Sequence, residues 1–274
     1  MRIGLDIGGT KIRIGLIDDS NCVVSQHTVP CESNLSKDDL LERIANIISD
    51  FFTDEVSLIG AGVPAIVDDN GVVYDCVNIP SWDRVELKAF LESRFKVPVQ
   101  VRNDCNCFAI GAFASDYGKN IDDMVGITLG TGVGAGLIFG RKFYSGKNSG
   151  AGEIGSFPYR GGILEDFCSS RFFVEHGTNG KTAWKDALNG SERALEIWSE
   201  FGENIADLIG MTLLAYDPQV IVIGGSIASA AEFFSQSMYA KLKSFIYPRV
   251  ADRVKIIFEP NGEFQLLGAT YSFE

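Results

Sequence analysis

A chain of 274 residues in which 36 acidic side chains outnumber 24 basic ones carries a formal charge of −12, and 30 glycines punctuate a composition that is 46% hydrophobic. At roughly 100–200 residues per domain this length predicts two domains with separate cores, and the acidic balance argues against nucleic acid, whose binding needs a concentrated Lys/Arg footprint. No run approaches the ~18 apolar residues of a membrane-spanning helix, and the opening Met1-Arg2-Ile3-Gly4-Leu5-Asp6 lacks the charged start and apolar core of a signal peptide, so the expectation is a cytoplasmic protein with no membrane partner.

Ile3–Ile17 (IGLDIGGTKIRIGLI) is an apolar run, a glycine-rich turn and a second apolar run, which predicts a β-hairpin. Asp38–Phe52 follows with helical spacing, placing Leu40, Leu41, Ile44, Ile47, Ile48 and Phe51 on one face, and Ser36 with Asp39 resembles a capping box. Val56–Val67 reads as a strand ending near glycines, Val85–Phe95 as a helix with Leu87, Phe90 and Leu91 on its stripe, and Val97–Val101 as a strand that opens into a helix at Asp104. Val125–Phe139 (VGITLGTGVGAGLIF) then repeats the hairpin. Glu192–Tyr216 is a long helix ended by Asp217-Pro218, Val220–Ser226 echoes the Val56–Val67 run, and a last helix, about Phe264–Ser272, is expected to return and pack on the first half. Hairpin, strand, helix, strand, helix, roughly repeated, predicts α/β architecture with ligands at the strand-end loops facing a cleft. Short hinges are expected near Asn103–Ala109 and Pro260–Glu263, and no low-complexity linker is present.

Several of these turns carry chemistry. In Asp6-Ile7-Gly8-Gly9-Thr10-Lys11 the glycines let backbone amides approach phosphate oxygens, Thr10 adds a hydroxyl, Lys11 a charge, and Asp6 a ligand for Mg²⁺, directly or through water. Glycine pairs also close hairpins that bind nothing. The counterpart Gly130-Thr131-Gly132-Val133-Gly134-Ala135-Gly136, with Thr128 at the position of Asp6, holds more glycine than a turn requires. Two such loops facing across a cleft would clasp a polyphosphate, and their spacing differs from the Walker pattern. Asp104, in Arg102-Asn103-Asp104-Cys105-Asn106, would project from a strand end as a general base for an attacking hydroxyl; the same residue is also a suitable helix N-cap. His27 and His176 lack any such context, which favours a carboxylate as the base. Glu153 and Glu165, in loops of small residues, suit bidentate hydrogen bonding to neighbouring sugar hydroxyls, with solvated loop acids as the alternative. Gly62-Val63-Pro64-Ala65 and Asn78-Ile79-Pro80 would close the other wall of the pocket.

Taken together, LDIGGTK (Leu5–Lys11), GVPA (Gly62–Ala65), VNIP (Val77–Pro80), RNDCN (Arg102–Asn106), LGTGVGAGL (Leu129–Leu137), GAGEIG (Gly150–Gly155), DPQVIVIGG (Asp217–Gly225) and LLGAT (Leu266–Thr270) resemble the ROK family of sugar kinases over nearly the whole chain. The resemblance implies an α/β fold of two actin-like (ribonuclease H-like) domains with mixed sheets flanked by helices around a central cleft: residues 1–105 plus about 262–274, and residues 106–261. It implies ATP with Mg²⁺, sugar as the other partner, and phosphorylation of a hexose hydroxyl, commonly at C6. By matching position, Asp104 is the base; Gly62, Pro64, Asn78, Asn103, Glu153 and Glu165 lie with it at the sugar; Gly8, Gly9, Thr10, Lys11, Gly130, Thr131, Gly132, Val133 and Gly134 bind phosphates; Asp6 lies at the ATP as the Mg²⁺ ligand; and Gly224 and Gly225 lie near the adenosine. A homodimer is the family expectation.

The chain departs from the family at one place. Members usually follow GExG with a histidine and carry a CxCGxxGC zinc cluster before the second sugar-binding Glu, whereas here Ser156 replaces the histidine and no cysteine lies between Cys107 and Cys168. The six cysteines read as reduced thiols, the Cys105–Cys107 pair as core or cleft lining, and no zinc site is expected. Ile163–Phe167 still matches the family's xxEx[YF], which supports Glu165. Glucose is the default substrate, with N-acetylmannosamine, N-acetylglucosamine, fructose and allose as alternatives. Two other classes are a sugar-responsive repressor without its DNA-binding region and a sugar-independent ATPase.

Overall fold

The structure, a computed structural model, describes residues 1–260 and 262–273. Asn261, in the expected second hinge, and Glu274, the end of the expected first domain, lie outside the described residues. Strands β1 (Arg2–Ile7), β2 (Lys11–Ile17) and β3 (Val23–Pro30) lead to α1 (Lys37–Ser49), β4 (Leu58–Val63), three short strands β5 (Ile66–Val67), β6 (Val73–Tyr74) and β7 (Arg84–Val85), α2 (Leu87–Phe95), β8 (Val99–Asn103) and α3 (Asp104–Ala114). The second run comprises β9 (Met124–Leu129), β10 (Val133–Phe139), β11 (Lys142–Tyr144), a ribbon of β12 (Pro158–Tyr159) and β13 (Gly162–Ile163), then α4 (Leu164–Cys168), α5 (Ser170–Glu175), α6 (Gly180–Leu188) and α7 (Glu192–Tyr216). It closes with β14 (Val220–Gly224), α8 (Ala231–Leu242), α9 (Pro248–Ala251), β15 (Lys255–Phe258) and α10 (Glu263–Thr270).

Two five-stranded sheets follow one plan, β3-β2-β1-β4-β8 and β11-β10-β9-β14-β15. In the first, β1 pairs antiparallel with β2 and parallel with β4, which runs parallel to β8. In the second, β14 runs parallel to β9 and to β15. The duplicated hairpin motif thus becomes a duplicated mixed sheet. Backbone packing divides the chain into one unit of Met1–Asn120, Gly136–Ala151 and Gly262–Glu274 and another of Ile121–Ala135 and Gly152–Asn261. Asn103–Ala109, read from the sequence as a hinge, is the end of β8 and the first half of α3 within the first unit.

In the first unit, Ile3, Leu5, Ile7, Ile12 and Ile14 of the hairpin are fully buried in one cluster with Leu40, Ile44 and Ile48 of α1, each burial being worth about 1.5–3 kcal/mol. Ser36 starts α1 by accepting from the Asp39 amide at 3.2 Å, while its hydroxyl donates to the Asp39 carboxylate at 2.6 Å. That differs from a full capping box, in which the acid would take the cap's own amide. The terminal helix α10 packs on α3, β1 and β4. Gly268 permits this approach, since a Cβ there would overlap the Cys107 carbonyl oxygen, and Arg102 holds the helix end by donating to the Gly268 and Ala269 carbonyls at 2.9 and 3.2 Å.

The second unit is built around α7, which starts at its Ser191 cap and ends at Asp217 in a left-handed conformation. Its Trp198 and Phe201 stack with Phe172 and Phe173 of α5 and Phe234 of α8. The β12–β13 ribbon is tied to this helix by Tyr159, whose hydroxyl donates to Asp207 and lies 3.2 Å from Asn204 Oδ1, and Lys241 of α8 donates to the same Asp207 oxygen. Among the described residues no helix is long and apolar enough to cross a membrane.

Candidate active site

The first hairpin sets Asp6 opposite Arg13 and beside Gly62 of β4. Arg13 donates through Nε (3.0 Å) and a terminal nitrogen (2.7 Å) to one oxygen, Asp6 Oδ2. The turn is closed by the Gly8 amide donating to the Lys11 carbonyl at 3.0 Å, and Thr10 and Lys11 are exposed at its tip. Gly9 faces the Val77–Pro80 segment, and a Cβ there would overlap the Asn78 carbonyl oxygen. Close approach of two backbones, more than turn geometry, therefore requires this glycine.

At the end of β8, Asn103 takes the N-cap of α3. Its Oδ1 accepts from the Cys105 and Asn106 amides at 2.9 and 3.2 Å, and its Nδ2 donates to the Ala65 carbonyl at 3.3 Å. Because Asn103 does the capping, Asp104 is released from that role and sits in the first turn, accepting from the Cys105 amide at 2.8 Å and from the Cys105 thiol. Burial lifts its pKa from an ordinary 3.8 to about 6, reinforced by the charge of Asp6. A carboxylate with a pKa near 6 is ionised at neutral pH and a better proton acceptor than a free one. Gly62 lies 3.6 Å by its would-be Cβ from the Asp104 Cα, and the Pro64 carbonyl takes the Cys76 thiol at 3.8 Å. Asp6, Gly9, Gly62, Asn78, Asn103 and Asp104 are thus gathered in the first unit.

The second unit gathers the rest. The loop between β9 and β10 is only Gly130–Gly132, closed by the Gly130 amide donating to the Gly132 carbonyl at 3.0 Å. Val133, Gly134 and Gly136 stand in β10 rather than in the seven-residue loop read from the sequence. Gly136 already belongs to the first unit and has a packing reason there: a Cβ would crowd Ala109 and the Cys105 carbonyl of α3 at 2.5 and 3.0 Å. Thr128 pairs with Gly224 as Asp6 pairs with Gly62, and Gly225, at φ +87°, packs on the Leu129 backbone, so Gly224 and Gly225 adjoin this hairpin. Glu165, near the start of α4, reaches the same loop, its Oε2 accepting from the Val133 amide at 3.0 Å and its Oε1 pairing with Arg171 at 2.6 Å. Partial burial raises the Glu153 pKa, and the charge of Glu165 raises it further, so the two acids are electrostatic neighbours. Ser156 is exposed at the end of a single turn, Ile154–Ser156.

Both histidines have structural partners: His27 stacks edge-on with Phe51, and His176 ends α5 against the Phe172 carbonyl and Glu200. Among the described residues no group of three or more His, Cys, Asp or Glu side chains could hold a metal ion. A single carboxylate is nevertheless the donor set that Mg²⁺ takes when phosphate oxygens and water complete its shell, and Arg13 engages only Oδ2 of Asp6, leaving Oδ1. Two side chains at these clusters escaped the sequence reading. Arg13 was recoverable, because Asp6 and Arg13 are equidistant from the centre of a symmetric hairpin turn at Gly9–Thr10. Arg171 was not, since a break at Ser169 between two short helices sets its direction.

The profile of the ROK family matches residues 2–270. An N-acetyl-D-glucosamine kinase from Vibrio vulnificus is 30% identical, over 96% of this chain and 95% of its own length. A glucokinase from Thermotoga maritima is 25% identical, over 94% and 92%. The crystal structure of a ROK family glucokinase from Streptomyces griseus, in complex with glucose and AMPPNP, superposes with a TM-score of 0.84 at 25% identity, covering 98% of this chain and 97% of that one. The two mixed sheets of this chain, flanked by helices, are those of the actin-like ATPase fold. With the family profile spanning nearly every residue, the chain belongs to the ROK family.

Proposed function

We propose that the chain is an ATP-dependent sugar kinase that phosphorylates a hexose hydroxyl, glucose or a related hexose at C6, with Asp104 as general base. The observation that carries this reading is the Asn103 cap, which spares Asp104 while burial and Asp6 bring its pKa to about 6. Asp104 accepts the proton of the sugar hydroxyl as that oxygen bonds to the γ-phosphorus and the bond to the β,γ-bridging oxygen breaks, releasing ADP. Such base assistance is worth about 10²–10⁴-fold, and positioning with charge stabilisation supplies the remainder. Gly62, Pro64, Asn78, Asn103, Glu153 and Glu165 are assigned to the sugar. For Asn103 the available group is its Nδ2, because Oδ1 is committed to the cap. Gly8–Lys11 and Gly130–Gly134 are assigned to the phosphates and Gly224–Gly225 to the adenosine. Asp6 is the residue that would hold Mg²⁺, which neutralises phosphate charge when bound.

N-Acetylglucosamine is the first alternative substrate, supported by the Vibrio vulnificus relative at 30% identity, ahead of N-acetylmannosamine, fructose and allose. The proposal includes a homodimer without nucleic-acid or membrane partners, checked by light scattering. The test is coupled ADP release with each of the five sugars and with none. Turnover that requires one of them supports a sugar kinase, equal turnover without sugar favours an ATPase, and sugar binding without turnover favours a sugar-responsive regulator.

A further inference from the structure

One carboxylate in the second unit serves two places. Glu165 Oε2 accepts the Val133 amide at the start of β10, in the space that the missing Cβ of Gly132 leaves open. Five residues further on, the Ser170 amide donates to the Gly130 carbonyl at 2.8 Å. The Gly130–Gly132 loop is therefore pinned at both ends by the α4–α5 segment. Arg171 stands beside this second pin and draws the segment together, meeting Glu165 Oε1 at 2.6 Å and Asp166 at 3.0 Å, while Asp166 accepts the Ile163 amide at 3.1 Å. At 54% exposed, the Arg171 side chain carries little of the core.

Resting on the sugar-kinase reading above, we infer that Glu165 couples the sugar site to the phosphate loop and that Arg171 is the positioning residue of this coupling. A sugar hydroxyl donating to Oε1 of Glu165 shares that oxygen with Arg171 or displaces it, and one donating to Oε2 shares it with the Val133 amide. Any rotation of the carboxylate changes Oε2, and so the hold on the Val133 amide, at the end of the loop assigned to the nucleotide. Sugar bound with Arg171 in place fixes the carboxylate plane, and with it the loop. Linkage makes the effect reciprocal: sugar tightens nucleotide binding by the factor by which nucleotide tightens sugar binding, and couplings of this kind are roughly 5–150-fold.

Calorimetric titration of Mg·AMPPNP into the full-length protein, with and without a saturating amount of whichever hexose drives ADP release, reads this factor directly. The wild type is expected to bind AMPPNP about tenfold tighter with sugar present, within the range of such couplings. Arg171→Gln should bring the ratio close to one and raise the sugar KM several-fold; Arg171→Lys should restore part of the ratio. A merely structural Arg171 would lower thermal stability and leave the ratio alone. An Arg171→Gln protein that folds, turns over sugar and keeps the wild-type ratio overturns the inference and leaves the kinase reading intact. Absence of sugar-dependent ADP release from the wild type overturns the kinase reading, and the inference with it.

Discussion

The two glycine hairpins share strand order and pairing, yet different chemistry stands behind them. Behind the first are carboxylates: Asp6, neutralised on one oxygen by Arg13, and Asp104, whose pKa Asp6 helps to raise. The equivalent strand position in the second hairpin is Thr128, and the acid that reaches the loop, Glu165, comes from a separate helix and spends one oxygen on a backbone amide. The two copies of the hairpin thus present different groups, two carboxylates behind the first turn and a hydroxyl with backbone amides at the second. Under the proposed function, backbone amides and Mg²⁺ would stand in for a basic surface, which reconciles a charge of −12 with a polyanionic substrate.

The sharpest way to break this contrast is Asp104→Asn, for which we expect a loss in kcat of about 10²–10⁴-fold with little change in the KM for ATP. The same substitution should raise stability. Between about pH 4 and pH 6 the folded chain binds more protons than the unfolded one, because the folded pKa is the higher. Stability therefore falls as pH rises through that window, and the neutral amide should gain about 1–3 kcal/mol above it, read by thermal melts at pH 7.5. Asp6→Asn comes next, with a loss of about 10²-fold, as when one charge-stabilising group is removed, and a higher Mg²⁺ requirement. It should also move the acidic limb of the kcat/KM profile below its wild-type midpoint near pH 6, because one cause of the Asp104 shift is gone; an unmoved midpoint would separate the two acids.

Smaller effects sharpen the comparison between the turns themselves. At Gly9 an added Cβ meets the Asn78 backbone, whereas at Gly132 it meets the carboxylate end of Glu165. Gly9→Ala should therefore cost about 1–3 kcal/mol of stability, as overpacking does, visible as a lower melting temperature. Gly132→Ala should melt within a degree or two of the wild type and instead raise the sugar KM several-fold, since only a side-chain end has to move. If both variants behave alike, the difference drawn between the two turns is wrong.

Much of this was legible before any coordinates. The hairpins, the long helix Glu192–Tyr216 and the strand-to-helix turn at Asp104 follow from period, glycine placement and the Asp-Pro stop, all local signals. What local pattern cannot carry is who caps whom and what packs where. Asn103 and Asp104 are adjacent cap-type residues, and only the backbone conformation of Asn103, extended at φ −61° and ψ 144°, decides that it takes the cap. Gly136 looked like part of a ligand loop because glycine required by helix packing and glycine required by a phosphate are the same letter. Arg171 gains its meaning from Glu165 and Asp166 across a helix break.

Proton transfer to Asp104 in a sugar-dependent phosphoryl transfer is read by ADP release from wild type and Asp104→Asn, with each hexose and with none, at matched nucleotide binding. Wild-type turnover should depend on one hexose and fall below pH 6, and Asp104→Asn should bind AMPPNP normally but turn over at least about 10²-fold more slowly. Near-wild-type turnover by Asp104→Asn with binding intact would contradict proton transfer to Asp104.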